Sequence, residues 1–357
     1  MTEMTYVNKS IVDLIKKNLN YSRFRWSSAV GLDEKESTLV ITLSPENTQN
    51  NMQYLAACFE GWATILKTYV IDFQPEEYKK VELCCPKLVI AEELNVHNGH
   101  LMRFLYRVLR FTEQYNWFTV NQTLRSDIDK FKKYLVDNHG KLINNYPSKP
   151  AASIQSSTTG TADLNEYIVE CLLAGVSNGN SSITLHSYFN NLGLPNKGLI
   201  VDHQLPVGLF KENIISKATR VFTGQKSAID LWGFSQTTPN DFYLVELKYN
   251  NKMIGMITEA FFYANFMYDL LDKNGAFTLS SDGGKTFRNY NTIYGFKDKE
   301  IDRIHAIMMS DKGNLHPAIT KALVNVLNQG NKKAIEYSLA EYEVDAKNGI
   351  ITSIAPK

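Results

Sequence analysis

The sequence predicts an α/β protein in which a mixed central sheet flanked by helices follows a smaller α+β N-terminal domain. Three observations carry that expectation. At 357 residues the chain exceeds one ordinary domain. A polar stretch of small residues, Asn144 to Ala162, holds both prolines of its region and reads as a linker. After it, apolar periodicity runs in the order helix, strands, helix, strand, helix, as in a layered α/β domain. The expected division is residues 1–143, a linker over 144–162, and 163–357.

In the N-terminal part, the Thr/Leu/Val/Ile run of Glu36 to Leu43 predicts a strand and Met52 to Tyr69 an amphipathic helix. Val81 to Ile90 is expected as a second strand, followed by helices over Gly99 to Tyr115 and Ser126 to Asn138. Past the linker, Asp163 can cap a helix whose apolar positions Leu164, Tyr167, Ile168, Cys171 and Leu172 keep helical spacing until Gly175. Extended segments are expected at Ser182 to Phe189, Leu199 to Phe210, Ser227 to Phe234 and Asp241 to Tyr249. An apolar helix over Ile254 to Leu271, a Gly-rich loop at Ser280 to Lys285, a strand at Ile304 to Ser310 and a helix at Pro317 to Asn328 follow. The chain closes on a hairpin whose turn is Lys347-Asn348-Gly349, with Asn-Gly as the turn signal.

Composition removes several function classes. Apolar residues at 44% and charged residues at 21% describe a folded globular chain rather than a disordered or fibrous one. A net charge of +1 excludes a histone-like protein and still permits a local basic groove. Cys58, Cys84, Cys85 and Cys171 lack paired C-x-x-C spacing, so neither a zinc cluster nor a disulfide framework is expected, and a reducing cytoplasm fits. No basic-then-apolar leader and no apolar window of about 18 residues is present, so secretion and membrane spanning are not expected. His97 and His100 match no zinc spacing, and the loop ending at Lys285 lacks the full phosphate-loop pattern.

The chemistry concentrates in Ile229-Asp230-Leu231-Trp232-Gly233-Phe234 and Asp241-Phe242-Tyr243-Leu244-Val245-Glu246-Leu247-Lys248-Tyr249. Alternation along a strand puts Glu246 and Lys248 on one face and Tyr243, Val245, Leu247 and Tyr249 on the other. Phe242 and Leu244 make both faces apolar, so polarity emerges only at the C-terminal end of a buried strand. A hairpin turning near Pro239-Asn240 brings Asp230 alongside. Two carboxylates can hold Mg²⁺ while leaving positions for water and a phosphate oxygen, and a lysine beside them can orient the attacking water. The tripeptide acid-x-Lys also occurs at Asp33 to Lys35, Glu77 to Lys79 and Asp345 to Lys347. Only Glu246 and Lys248 lie in a continuous apolar strand preceded by an aspartate strand, and that context carries the inference.

Asp230 followed by Glu246-Leu247-Lys248, with Glu166 or Glu170 upstream, resembles the PD-(D/E)XK nuclease superfamily. The resemblance spans about Asp163 to Asn328, and Val201 to Gly208 looks like the strand that opens the family's sheet. It implies a restriction-endonuclease-like fold and a Mg²⁺- or Mn²⁺-dependent deoxyribonuclease acting on DNA, away from membranes, with a homodimer expected where both strands are cut. Asp230 and Glu246 would ligate the metal, Lys248 would position the nucleophilic water, and Glu166, preferred over Glu170 on the same helix face, would complete the catalytic set. Two departures stand out. Ile229, rather than Pro, precedes Asp230, and the following helix reads Glu259-Ala260-Phe261-Phe262-Tyr263 where some exonuclease-like branches carry Gln-x-x-x-Tyr. The rival class is a non-catalytic nucleic-acid- or protein-binding module that keeps the fold.

Phosphate contacts are expected from two groups of cations. Lys211, Lys217, Arg220 and Lys226 face a single acid, Glu212, a local excess of three positive charges. Arg103, Arg107 and Arg110 fall at i, i+4 and i+7 on one helix face and could follow a phosphate backbone or form an ordinary solvated face.

Overall fold

The computed structural model describes residues 6–85, 99–147, 164–176, 183–192, 199–213, 216–222, 227–235, 239–280, 287–295, 300–331 and 334–357. In chain order the elements begin α1 (Lys9–Leu19), β1 (Gly31–Lys35), β2 (Thr38–Thr42), α2 (Pro45–Thr48), α3 (Phe59–Leu66), β3 (Lys80–Cys84), α4 (Gly99–Gln114), β4 (Phe118–Val120), α5 (Gln122–Asp137) and β5 (Leu142–Asn144). They continue α6 (Glu166–Ala174), α7 (Leu185–Asn191), β6 (Leu199–Pro206), β7 (Leu209–Phe210), β8 (Ala228–Ser235), β9 (Asp241–Lys248), α8 (Gly255–Leu271) and β10 (Phe277–Leu279). The last are α9 (Tyr290–Tyr294), β11 (Arg303–Asp311), α10 (Lys321–Asn328), β12 (Ile335–Asp345) and β13 (Ile350–Pro356). The α/β class expected from the sequence is present. Among the described residues no helix is long and apolar enough to cross a membrane.

The chain forms two compact units, and neither is one continuous stretch. The first gathers Met1–Asn138, Met253–Phe261 and His316–Lys333; the second gathers His139–Lys252, Phe262–Leu315 and Ala334–Lys357. The sequence division at 144–162 differs from this. Asn144 ends β5 inside the second unit, where its amide donates to the carbonyls of Pro206 and Gly208, both at 3.1 Å, and the expected linker from residue 148 onward lies outside the described residues.

The first unit carries a sheet in the order β1-β2-β3-β4, antiparallel between β1 and β2 and parallel thereafter. Its core is aromatic: Phe59 stacks on Phe118 at 5.7 Å, and Phe111 meets Phe118 at 4.7 Å and Phe261 at 5.1 Å. The helix expected from Met52 starts only at Phe59 and continues through a π-helical turn, Lys67–Ile71. Helix α1, absent from the sequence expectation, is fixed by its caps. Asn8 accepts from the amides of Ser10 and Ile11, and Asn20 closes the helix at φ 54°.

Arg103 and Arg107 are core residues of this unit, 3% and 2% exposed. The Arg107 guanidinium donates twice to Glu60, at 2.7 and 2.5 Å, and once to the Ala57 carbonyl at 2.8 Å, and it lies 5.1 Å over the Phe59 ring. Thr258 donates a further bond to Glu60 at 2.9 Å. Arg110 pairs with Glu113 at 2.8 Å. The three arginines therefore do not form the surface row their spacing suggests. On α4 apolar residues lie on every side of them, and the burial of Arg107 is tolerated because Glu60 supplies the opposite charge.

The second unit holds a three-stranded sheet, β10-β5-β7, and a six-stranded sheet in the order β13-β12-β11-β9-β8-β6. β6, β8 and β9 form an antiparallel meander, β11 joins β9 in parallel, β12 joins β11 in parallel, and β13 returns antiparallel. Tyr243, Val245 and Leu247 of β9 pack with Leu231, Ile307 and Met309 against Val169, Leu172 and Leu173 of α6 and Leu185, Tyr188 and Phe189 of α7. The segment from Ser182 to Phe189, expected as extended, is helical from Leu185. Thr184 caps it by accepting from the Ser187 amide at 3.3 Å, and Leu185, Tyr188 and Phe189 bury one face at i, i+3 and i+4.

Replacing Arg107 with Ala should destabilise the protein by about 3–5 kcal/mol, because it leaves the Glu60 carboxylate buried without its countercharge. The urea midpoint reads this directly. A solvated surface arginine would change it by no more than about 0.5 kcal/mol.

Candidate active site at the end of the β8–β9 ladder

Pairing between β8 and β9 runs from Phe234↔Phe242 to Leu231↔Val245. One step further would set Asp230 opposite Glu246, but there the side chain of Asp230 takes over. Its Oδ2 accepts the Leu247 amide at 3.0 Å, so a carboxylate replaces a backbone carbonyl in the ladder. The neighbouring strand is interrupted at the same level. β6 pairs His203↔Leu231 and Leu205↔Ile229, while Gln204 between them adopts φ 56°. Two irregularities at one level of the sheet make room for polar side chains in otherwise apolar strands.

Glu246 and Lys248 are 1% and 2% exposed. Lys248 Nζ lies 2.5 Å from Glu246 Oε1 and 3.5 Å from Glu166 Oε1. The other oxygen of Glu166 accepts the Tyr249 amide at 3.4 Å, and Tyr342 donates to the Lys248 carbonyl at 3.0 Å, which fixes the strand end. Glu166 comes from α6, capped by Asn165, which accepts the Ile168 amide at 3.1 Å. Glu170, one turn beyond Glu166, is buried and accepts from the Gln204 amide at 2.5 Å.

Charge crowds here. Burial, then the Asp230 carboxylate, then Glu166 push the Glu170 carboxyl up to about 8, against the opposing Gln204 bond and His203. Behind it, Asp202 Oδ1 lies 3.1 Å from Nδ1 of His203, and Cys171 Sγ lies 3.9 Å from Nε2. Burial by itself would lower His203. Its bond to Asp202 and the contact with Cys171 outweigh that and raise it to about 9.

The structure thus brings together four residues the sequence singles out, Asp230, Glu246, Lys248 and Glu166. It adds Glu170 on the Asp230 side, so that the two helix glutamates divide between the lysine and the aspartate. All candidate donors are carboxylate oxygens, the set a hard cation such as Mg²⁺ takes. Among the described residues no group of three or more His, Cys, Asp and Glu side chains is set to hold a metal ion. Mg²⁺ is commonly held by one or two carboxylates with its remaining positions filled by water and phosphate oxygens, and Asp230 and Glu246 are the residues that could supply those carboxylates.

The expected phosphate contacts divide. Lys211 and Lys217 are exposed, Arg220 is half-buried and bridges to Phe210, and Lys226 lies outside the described residues, as does His97. His100 sits 3.2 Å from Arg103. Sequence reading gave Gln204 and His203 no role in the site, because a left-handed residue inside a strand and a His–Cys contact between β6 and α6 leave no periodic signal. No protein-family model, curated protein or solved structure matches the chain.

Glu170→Gln should change how stability varies with pH. The folded state holds the Glu170 proton up to about pH 8, whereas the unfolded chain releases it near its ordinary value of 4.5, so this group's stabilising contribution is full below that value and falls as pH rises through the interval. Urea midpoints measured from about pH 5 to about pH 8.5 should show the variant gaining on wild type as pH increases. A constant difference would contradict the crowding.

Proposed function

We propose that the protein is a metal-dependent nuclease that hydrolyses phosphodiester bonds in DNA, built on a restriction-endonuclease-like core and working in the cytoplasm. One observation carries the reading: Asp230, Glu246, Lys248 and Glu166, separated by up to 82 positions in sequence, meet where the β8–β9 ladder gives way. The order of elements supports it, since α6, the antiparallel meander β6-β8-β9, α8 and the parallel strand β11 follow the helix–three strands–helix–strand plan implied by the PD-(D/E)XK resemblance.

Asp230 and Glu246 would hold Mg²⁺ or Mn²⁺. When bound, the ion supplies Lewis-acid stabilisation of charge at the phosphate and acidifies a water. Lys248, held from two sides by Glu246 and Glu166, fixes an ammonium beside the acids, where it orients the attacking water and faces charge developing at phosphorus. Glu166 sets the lysine rather than the metal in this geometry. Glu170, whose hold on its proton is strengthened by burial and by the Asp230 carboxylate, can donate or hold a proton next to Asp230. A homodimer follows for cutting both strands of a duplex, since one site cuts one strand.

A binding module that retains the fold is the second reading. It is favoured by the direct Lys248–Glu246 contact, which pairs one proposed metal ligand with an ammonium of the chain itself. Calorimetry with millimolar Mg²⁺ or Mn²⁺ separates the two, because only the nuclease needs the ion.

Incubation with plasmid, linear and single-stranded DNA in Mg²⁺, Mn²⁺ or EDTA should give cleavage that EDTA abolishes. Asp230→Ala, Glu246→Ala and Lys248→Ala should each lower the rate by at least about a thousandfold, the several kcal/mol a positioned ion or ammonium contributes. A wild-type rate in any of the three would overturn the assignment.

A further inference from the structure

The acidic site has a cation on the side opposite Lys248. Arg288 sits in a short turn, Phe287–Asn289, that packs along β6, the edge strand of the six-stranded sheet. The turn is unusual in its backbone: Arg288 at φ 53° and Asn289 at φ 50° are consecutive left-handed residues other than glycine. Such a pair is held only where its surroundings enforce it. Here they do. Asn289 donates to Asp202 Oδ2 at 2.7 Å, and Arg288 Nη1 donates to the Gln204 carbonyl.

Gln204 is therefore a two-sided link. Its side chain donates to Glu170, and its own carbonyl receives Arg288. Because Gln204 occupies the level of Asp230 across the β6–β8 pairing, Arg288 stands at that same level, one strand outward from the carboxylates. With Nη1 directed at Gln204, the Nε–Nη2 edge of the guanidinium faces elsewhere, and that is the edge that meets a phosphate with two parallel bonds. Arg288 Nε is buried and has no hydrogen-bond partner among the described residues. Such a donor is unfavourable until it is satisfied, and an anionic oxygen would satisfy it once the half-buried side chain turns this edge toward solvent.

We propose that Arg288 binds a backbone phosphate of the substrate strand next to the scissile one, so that the strand crosses the sheet edge over Gln204 and enters the acidic site between two cations. This rests on the nuclease reading above. Carboxylates alone repel a polyanion. A fixed guanidinium at the edge and the Lys248 ammonium within give the strand one path and one register.

The test uses the full-length protein and a short DNA duplex carrying a single methylphosphonate, moved one position at a time along the cleaved strand. Arg288→Met should raise KM about 10- to 100-fold, as expected for losing a bond to a charged group, with little change in kcat. Arg288→Lys should recover only part of it, since a point charge lacks the fork. At one position the methylphosphonate should weaken wild type by a similar factor and leave Arg288→Met unaffected. Equal methylphosphonate effects in both proteins at every position, or an unchanged KM, would overturn the proposal and leave Arg288 as an anchor for Gln204. If Arg288→Met melts below the assay temperature, Arg288→Lys carries the comparison, with a wild-type KM counting against the proposal. If wild type cuts no DNA, the nuclease reading has failed on its own. Equilibrium binding of the same duplex then decides Arg288, with weaker binding by the variant supporting a phosphate contact and equal binding removing it.

Discussion

The second unit depends on one substitution of bonding partners, the side chain of Asp230 accepting the amide of Leu247. Buried backbone donors must be satisfied, and in an uninterrupted ladder a carbonyl would do so. Giving the role to a carboxylate lets β8 and β9 end their pairing without leaving that donor orphaned, and it brings a negative charge to the last turn of a sheet otherwise lined by Trp232, Phe242 and Leu244. Every other member of the site answers that charge or shares its consequences. Glu170 is driven toward its protonated form by burial and by that charge, Gln204 leaves strand geometry and holds Glu170, and Lys248 offsets part of the remaining negative charge from the inner strand.

The same principle governs the first unit with a different outcome. Arg107 and Glu60 are both removed from water, yet they meet through two bonds of a planar fork, and Ala57 and Thr258 occupy further valences. An ion pair so completely satisfied fixes the placement of α3 against α4 and presents no charge to solvent. The Lys248 cluster has more acids than bases, so it retains unbalanced negative charge. Net imbalance of this kind perturbs the protonation of the groups that share it, whereas a balanced pair does not need to.

How much of this was legible in the sequence follows from the range of the interactions. Strands β8, β9 and β11 and helices α4, α8 and α10 announce themselves by local period, and Asp230, Glu246 and Lys248 stand out because polarity breaks a continuous apolar run. Arg103, Arg107 and Arg110 show where period misleads. Spacing places three side chains on one face but is silent on what covers it, and Glu60 lies 47 positions away from Arg107. The Ser182 to Phe189 segment looked extended because Ile183 and Thr184 are β-branched, while the cap formed by Thr184 and the Leu185, Tyr188 and Phe189 stripe decided for a helix. Gln204 and Arg288 gave no sign, since left-handed backbone at residues other than glycine is imposed by tertiary contacts.

The discontinuous make-up of the first unit governs the order in which the chain can mature. Tyr115 donates to the carbonyl of Leu327, Tyr69 reaches Ala318 and Thr320, and Phe111 packs on Phe261, so the N-terminal core closes on segments synthesised far later. While it is being made, this unit must wait, partly open, until residues near 330 have emerged, and by then the strands of the second unit that precede β12 already exist. Emergence from the ribosome therefore favours completion of both units together over a first-then-second sequence, and a fragment ending near residue 143 would expose aromatic faces whose partners it lacks.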